Sequence, residues 1–191
     1  MGELTSQERA CVEAASAAPM LAQVENWSAV NWGSRNLDGL ATVGARLAGA
    51  FADLPGEIAM REPAPVEAID AAGKPYEVPH GRNFHLKVRP DAPVQLLFTG
   101  HMDTVFGVDH PFQSLKWLDP GKVLNGPGVA DMKGGIAVML AALKAVEASP
   151  AARVVGYEVI INSDEEVGSL GSAALIADAA RGKRAALTYE P

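Results

Sequence analysis

The spacing of the hydrophobic residues differs along the chain, and each spacing predicts a different kind of element. In the first fifty residues the apolar positions lie three or four apart, as on one face of an amphipathic helix. This pattern predicts a helix over residues 6–27. It predicts a second helix that begins after Asn36, a suitable N-cap, and ends at Pro55 and Gly56. The apolar stripe of the second helix is Leu40, Val43, Leu47, Phe51 and Leu54.

Further along, the pattern becomes that of strands alternating with helices. Phe84, Leu86 and Val88 alternate with polar residues, as in a strand with one buried face, and the run at 94–99 is almost continuously apolar, as in a strand covered on both faces. The chain then predicts helix, strand, helix and strand over residues 132–146, 154–162, 168–180 and 185–189. This order predicts an α/β fold, a largely parallel mixed sheet with helices on both faces.

Side chains that can bind metals or protons stand where predicted strands end or a predicted helix begins. They are His101, Asp103, Asp131, Glu165, Glu166 and Glu190. Because the carboxyl ends of parallel strands form one rim of a sheet, where ligands bind, we expect these side chains to converge. So many carboxylates would repel each other unless a cation neutralised them. A histidine with carboxylates suits Zn²⁺, with Co²⁺ or Mn²⁺ as alternatives.

The residue types also suggest roles within such a site. Asp131 can bridge two metals, because a carboxylate has two oxygens and the surrounding glycines let the backbone approach closely. Glu165 and Glu166 are adjacent and point apart in an extended chain, so one can bind metal while the other acts as a base. Taken singly, each residue has a plainer interpretation, since Asp131 alone could cap a helix. The agreement of four positions favours the metal site.

Three segments carry these residues, and their sequences are distinctive. They are GHMDTV at 100–105, GPGVADMKGG at 126–135 and SDEEVGS at 163–169. Together with residues 30–39 they resemble the glutamate carboxypeptidase and aminoacylase family of dizinc metallopeptidases, in particular its bacterial glutamate carboxypeptidase branch. The resemblance covers residues 20–191, and the combination of the three segments makes it specific.

The resemblance implies an assignment for each residue of the site. The implied ligands of a zinc pair are His101, Asp131 as the bridge, Glu166 and Glu190. Glu165 would be the general base, Asp103 would orient His101, and the Asp131–Met132 peptide bond would be cis. The implied mechanism is attack of a metal-activated water on an amide carbonyl, with Glu165 moving the proton.

The implied function is zinc-dependent hydrolysis of an amide or peptide bond next to a free carboxylate, in a small peptide or an N-acyl amino acid. The alternatives are a dizinc aminopeptidase or dipeptidase, and a non-catalytic metal-binding remnant. In the family an inserted lid or dimerisation domain separates two parts of the catalytic domain. We therefore expect residues 1–191 to be the N-terminal portion of that domain, without one histidine ligand and the groups that hold the substrate carboxylate. Alone it would be inactive or weakly active, and the full-length protein would be a homodimer.

The charge and composition of the chain indicate which kinds of binding partner and which cellular location to expect. The 191 residues carry a formal net charge of −7, which argues against nucleic acid or an anionic membrane. The sequence contains no run of about 18 apolar residues and therefore predicts no membrane span. Cys11 is the single cysteine, so no disulfide forms within the chain, and the first residues lack the apolar segment of a secretory signal. We therefore expect a cytoplasmic protein.

Overall fold

The computed structural model describes residues 3–191. The helices in this range are α1 (Ser6–Ser16), α2 (Met20–Ser28), α3 (Leu37–Phe51), α4 (Gly135–Glu147) and α5 (Ala173–Ala180). The strands are β1 (Glu57–Arg61), β2 (Glu67–Ile69), β3 (Pro75–Glu77), β4 (Asn83–Val88), β5 (Val94–His101), β6 (Lys116–Asp119), β7 (Val123–Asn125), β8 (Val155–Asn162) and β9 (Ala185–Thr188). Short helical turns lie at Val129–Gly134, Pro150–Arg153 and Glu165–Val167.

The N-terminal region contains one helix more than the sequence pattern predicts. The single helix expected over 6–27 is wrong, because α1 ends at Ser16 and α2 begins at Met20. Pro19 lies at the break, where its missing N–H and its clash with the preceding residue oppose a continuous helix. The predicted start of α3 is confirmed, since the side chain of Asn36 accepts the N–H of Gly39 at 3.1 Å, but the helix ends at Phe51, before the end predicted at Pro55.

A mixed five-stranded sheet, as predicted, forms the centre of the fold. Its strand order is β1-β4-β8-β5-β9. The pairs β5–β8 and β5–β9 are parallel, whereas β1–β4 and β4–β8 are antiparallel. Parallel pairing is confined to the half where helices alternate with strands, because a parallel pair needs a long crossover connection. No helix separates β1 from β4.

Helices cover both faces of this sheet, as the sequence predicts. On one face α2, α3 and α4 form the main core with β4, β5 and β8, and the rings of Phe51 and Phe84 lie 5.1 Å apart there. On the other face α5 packs over Leu97 and Ile160. Helix α5 is shorter than predicted, because residues 168–172 form a loop in which Asp164 accepts the N–H of Gly171 at 2.7 Å.

Two hairpins, β2–β3 and β6–β7, lie outside the sheet and were not predicted. Their strands are largely exposed, so they lack the burial pattern from which strands can be recognised. Hairpin β6–β7 connects the end of β5 with the segment 126–135. Among residues 3–191, no helix has both the length and the apolar surface needed to cross a bilayer.

Candidate metal centre

His101 is the last residue of β5 and the central side chain of the predicted site. It pairs in parallel register with Asn162 of β8, so the ends of both strands lie at the same rim of the sheet. Its backbone N–H donates to the sulfur of Met132 at 3.1 Å, and its side chain is only 1% exposed. The sheet and the Met132 side chain therefore fix the backbone of His101, and burial restricts its ring.

The two ring nitrogens of His101 face opposite groups of oxygens. Nδ1 lies 3.0 Å from the backbone carbonyl of Asp103 and 3.3 Å from its carboxylate. Nε2 lies 2.9 Å from Oδ1 of Asp131 and 3.4 Å from Oε1 of Glu190. One nitrogen thus meets the residue predicted to orient the ring, and the other meets two of the predicted metal ligands.

The turn Val129–Gly134 carries Asp131 to this position. The Asp131–Met132 peptide bond is cis, as the family resemblance implies. Helix α4 follows at Gly135, where a Cβ atom would lie 2.1 Å from the carbonyl oxygen of Tyr189. Only a residue without a side chain permits this approach. The close contact brings the end of β9, and with it Glu190, next to Asp131.

The adjacent glutamates lie on a short helical turn directly after β8. Their backbone N–H groups donate to the two oxygens of the Asp103 carboxylate, Glu165 at 3.1 Å and Glu166 at 3.2 Å. The side chain of Glu166 is half-buried and that of Glu165 is exposed, so the two point into different surroundings. Ligand atoms of His101, Asp131 and Glu166 lie within 4.8 Å of one another.

The site carries an excess of negative charge. Burial and the charge of Asp131 raise the pKa of Glu166. Burial also raises the pKa of Glu190, together with the charges of Asp131 and Glu165 and against the opposing charge of His101. Burial alone would lower the pKa of His101, but hydrogen bonds with Asp103 and Asp131 and the charges of Asp103 and Glu190 raise it to about 9. These shifts show carboxylates that repel one another and gather positive charge.

Residues 97–190, which include all six predicted site residues, match the family described as Peptidase family M20/M25/M40. This part of the chain is a peptidase M20 family domain. The resemblance predicted from the three segments is thereby confirmed.

Individual relatives agree with this assignment. The chain is 35% identical to carboxypeptidase G2 of Pseudomonas sp. (strain RS-16) over 111 residues, which is 58% of this chain and 26% of that protein. It is 41% identical to succinyl-diaminopimelate desuccinylase 1 of Alteromonas mediterranea (strain DSM 17117 / CIP 110805 / LMG 28347 / Deep ecotype) over 81 residues, 39% of this chain and 20% of that protein. The chain therefore spans only about a quarter, or less, of the length of these relatives.

A solved structure shows the same fold. The M20 family metallo-carboxypeptidase Sso-CP2 from Sulfolobus solfataricus superimposes with a TM-score of 0.66 at 15% sequence identity, covering 90% of this chain and 37% of that one. The mixed sheet with helices on both faces is therefore the fold of an M20 peptidase.

The donor set of the M20 domain fits a divalent metal ion. One imidazole nitrogen and two carboxylates converge within 4.8 Å, and nitrogen with oxygen is the combination that Zn²⁺ accepts. The negative charge on the surrounding carboxylates would be compensated by such a cation. Among the described residues His101, Asp131 and Glu166 form the one group of this kind.

Two buried side chains of the site were not predicted. Ser34 donates from its hydroxyl to Oδ2 of Asp103 at 2.8 Å. Lys133 donates to the carbonyl of Pro127, and its Nζ lies 4.4 Å from the centre of the Trp32 ring. Both residues belong to segments that resemble the family, but a single serine or lysine gives no signal of burial in the sequence. Only the structure shows that both face inward.

Proposed function

We propose that this M20 domain binds a pair of zinc ions and belongs to a hydrolase that cleaves an amide bond next to a free carboxylate. The observation that carries the proposal is the convergence of His101, Asp131 and Glu166 at the ends of parallel strands. The names of the two relatives, a carboxypeptidase and a desuccinylase, support a peptide or an N-acyl amino acid as the substrate. The activity is proposed for the whole protein.

In this proposal Asp131 would hold both ions. His101 and Glu190 would hold one of them, since Oε1 of Glu190 lies 3.4 Å from Nε2 of His101. Glu166 would hold the other ion, and its half-buried carboxylate already lies close to Asp131. Zinc supplies Lewis acidity, which polarises a carbonyl group and lowers the pKa of water towards neutrality.

Glu165 is the general base of the proposed reaction. Its main chain is held by Asp103, while its carboxylate is exposed beside the metal ligands. The carboxylate takes a proton from the attacking water as the water oxygen bonds to the amide carbon. It then delivers this proton to the nitrogen of the leaving amine as the carbon–nitrogen bond breaks.

A cleft next to Glu166 gives the substrate room. It has a volume of about 240 Å³ and is bordered by Glu166 and Val167 on one side and by Thr104, Val105 and Arg35 on the other. Val105 is 64% exposed and supplies an apolar wall. A small acyl group or amino-acid side chain can therefore lie against the cleft while its amide bond faces the metal ligands.

The first test separates binding from catalysis. The metal affinity of Asp131→Asn is compared with that of Asp109→Asn, which removes an exposed aspartate from a loop. We expect the first variant to lose at least about 100-fold in Zn²⁺ affinity and the second to bind like the native protein. Failure of the native protein to bind Zn²⁺ would contradict the proposal.

The second test concerns Glu165. We expect Glu165→Gln to bind Zn²⁺ normally and to slow hydrolysis of an N-acyl glutamate by the full-length protein by about 10²–10⁴-fold. A Gln variant that keeps the native rate would show that Glu165 is not the base. Unchanged metal binding serves as the internal control, because it shows that the site itself is intact.

A further inference from the structure

The segment of residues 32–34 forms a short parallel pairing with the chain that follows His101. Ser34 N–H donates to the carbonyl of Thr104 at 3.1 Å, and Thr104 N–H donates to the carbonyl of Trp32 at 2.9 Å. Gly33 lies between them, and a Cβ there would come within 2.7 Å of the carbonyl oxygen of Phe106. The segment therefore pairs in parallel with the chain just beyond the end of β5 and lies beside Asp103.

The Asp103 carboxylate joins three parts of the chain. It is fully buried. Oδ1 accepts the N–H of Glu165 at 3.1 Å and lies 3.3 Å from Nδ1 of His101. Oδ2 accepts the N–H of Glu166 at 3.2 Å and the hydroxyl of Ser34 at 2.8 Å. Oδ2 thus accepts two hydrogen bonds, and Oδ1 accepts one and faces the imidazole of His101.

Ser34 supplies the one side-chain hydroxyl among these hydrogen bonds. Its single proton has two acceptors, the carboxylate of Asp103 at 2.8 Å and the carbonyl of Thr104 at 3.2 Å. The shorter contact to the ionised group is the stronger one. Without the hydroxyl, Oδ2 would keep only the N–H of Glu166. The carboxylate could then rotate, and both His101 and the Glu165–Glu166 turn would lose a fixed partner.

We propose that Ser34 is a positioning residue of the metal centre, which acts through the Asp103 carboxylate to hold His101 and Glu166 at the separation that a metal ion requires. This inference rests on the proposed metal site and adds a residue from outside the segment 97–190. Ser34 binds neither metal nor substrate in this role. Groups that hold metal ligands in place contribute about 10–100-fold to metal affinity.

The test uses a matched pair of buried serines. Ser34 is 6% exposed and Ser28 is 7% exposed, but the hydroxyl of Ser28 has no hydrogen-bond partner. Ser34→Ala and Ser28→Ala therefore remove the same atom from equally buried positions. Co²⁺ affinity is measured for both by competition with a chelator, and the visible absorption of bound Co²⁺ reports its coordination. Amide hydrogen exchange at Glu165 and Glu166 is measured in the metal-free protein.

We expect Ser34→Ala to weaken Co²⁺ binding by about tenfold or more, to alter the Co²⁺ spectrum and to speed amide exchange at Glu165 and Glu166. Ser28→Ala should change none of these. Ser34→Thr, which keeps the hydroxyl, should restore affinity and exchange towards the native values. If Ser34→Ala fails to fold, Ser34→Cys takes its place with the same expectation, because a thiol is a weak donor.

Two outcomes would overturn the inference, and they differ in meaning. If the native protein binds no Co²⁺, the proposed function fails and the positioning role fails with it. If the native protein binds Co²⁺ and Ser34→Ala matches Ser28→Ala in affinity, spectrum and exchange, the metal site stands and Ser34 has no part in it.

Discussion

Two buried histidines of the same sheet differ sharply in the charges around them. Nε2 of His101 lies 2.9 Å from a carboxylate oxygen of Asp131, and Nε2 of His85 lies 2.6 Å from one of Glu158. Around His101 the other charged neighbours are carboxylates, whereas the second oxygen of Glu158 accepts from Lys183 at 2.7 Å. A histidine beside a carboxylate is thus common to both regions, and only the first has an excess of negative charge.

The pKa shifts follow this difference. The carboxylates raise the pKa of His101 to about 9 against the effect of burial. At His85 burial lowers the pKa and outweighs the opposing effect of Glu158, while the charges of Arg61 and Lys87 lower it further. Positive charge near His85 and Glu158 comes from Lys183, Arg61 and Lys87, whereas the groups paired with His101 are carboxylates. The charge balance, rather than the pairing itself, distinguishes a candidate metal centre from a structural pair.

The largest expected effect comes from adding metal to matched variants of the two histidines. At a free Zn²⁺ concentration of 100 times the dissociation constant, the native protein should gain about 2.7 kcal/mol in free energy of unfolding. We expect His101→Leu to lose this gain. His85→Leu should keep the gain, although its baseline stability falls. Urea unfolding with Zn²⁺ and with a chelator measures both quantities.

Loss of the metal-dependent stabilisation in His85→Leu as well would contradict the proposed difference between the two histidines. The metal would then act at a distance from His101, or at both sites. A gain retained by His101→Leu would remove that residue from the ligand set.

The position of His101, Asp131, Glu166 and Glu190 at one rim could be predicted because it depends on local order. Each residue follows a strand or precedes a helix, and parallel strands end on the same side. The antiparallel half could not be predicted in this way, since residues 57–79 lack a regular alternation of strand and helix. The contact of Ser34 with Asp103 joins residues 69 positions apart, and no local pattern encodes such a pairing.

At two helix boundaries the structure differs from the prediction because the sequence carries competing signals there. Pro19 marks the break between α1 and α2, but the apolar spacing runs through it and favoured one helix. Residues 168–172 lie in an Ala- and Gly-containing segment that fits a helix, yet Asp164 binds the N–H of Gly171 and holds a loop. In both places tertiary contacts or backbone chemistry outweigh a hydrophobic pattern.

Lowering the pH is expected to have a smaller effect on the free energy of unfolding, and this effect arises at His85. Because the pKa of His85 is lowered in the folded protein, the unfolded chain takes up a proton first as the pH falls below about 6.5. Stability is therefore present above this pH and is lost below it, by at most about 1.4 kcal/mol per pH unit. Burial opposes the shift at Glu158, but hydrogen bonds from Lys183 and His85 lower its pKa, which adds a loss of the same sign below about pH 4.5.

Urea unfolding at pH 7.5 and 5.5, with a chelator present, measures the histidine contribution. We expect His85→Leu to show a smaller loss of stability between these two pH values than the native protein. His110→Leu removes an exposed histidine and should keep the native slope. An unchanged slope in His85→Leu would mean that His85 takes up protons equally in the folded and unfolded states, which would contradict its lowered pKa and remove the contrast with His101.

The smallest effect is expected at Lys133, a buried cation in the turn that carries Asp131. Lys133 is 1% exposed, burial lowers its pKa to about 8, and it contacts the ring of Trp32 and the carbonyl of Pro127. Lys133→Met loses this hydrogen bond and the cation–π contact, each worth about 1 kcal/mol, but it also avoids burying an ammonium group.

We therefore expect a change of about 1 kcal/mol or less in the free energy of unfolding of Lys133→Met. Zn²⁺ affinity should fall by up to about tenfold, because the turn that carries Asp131 loses an anchor. Lys144→Met, which removes a lysine paired with the exposed Asp53 carboxylate at 2.8 Å, should leave the affinity unchanged. Equal Zn²⁺ affinity in the two variants would show that Lys133 contributes to packing alone.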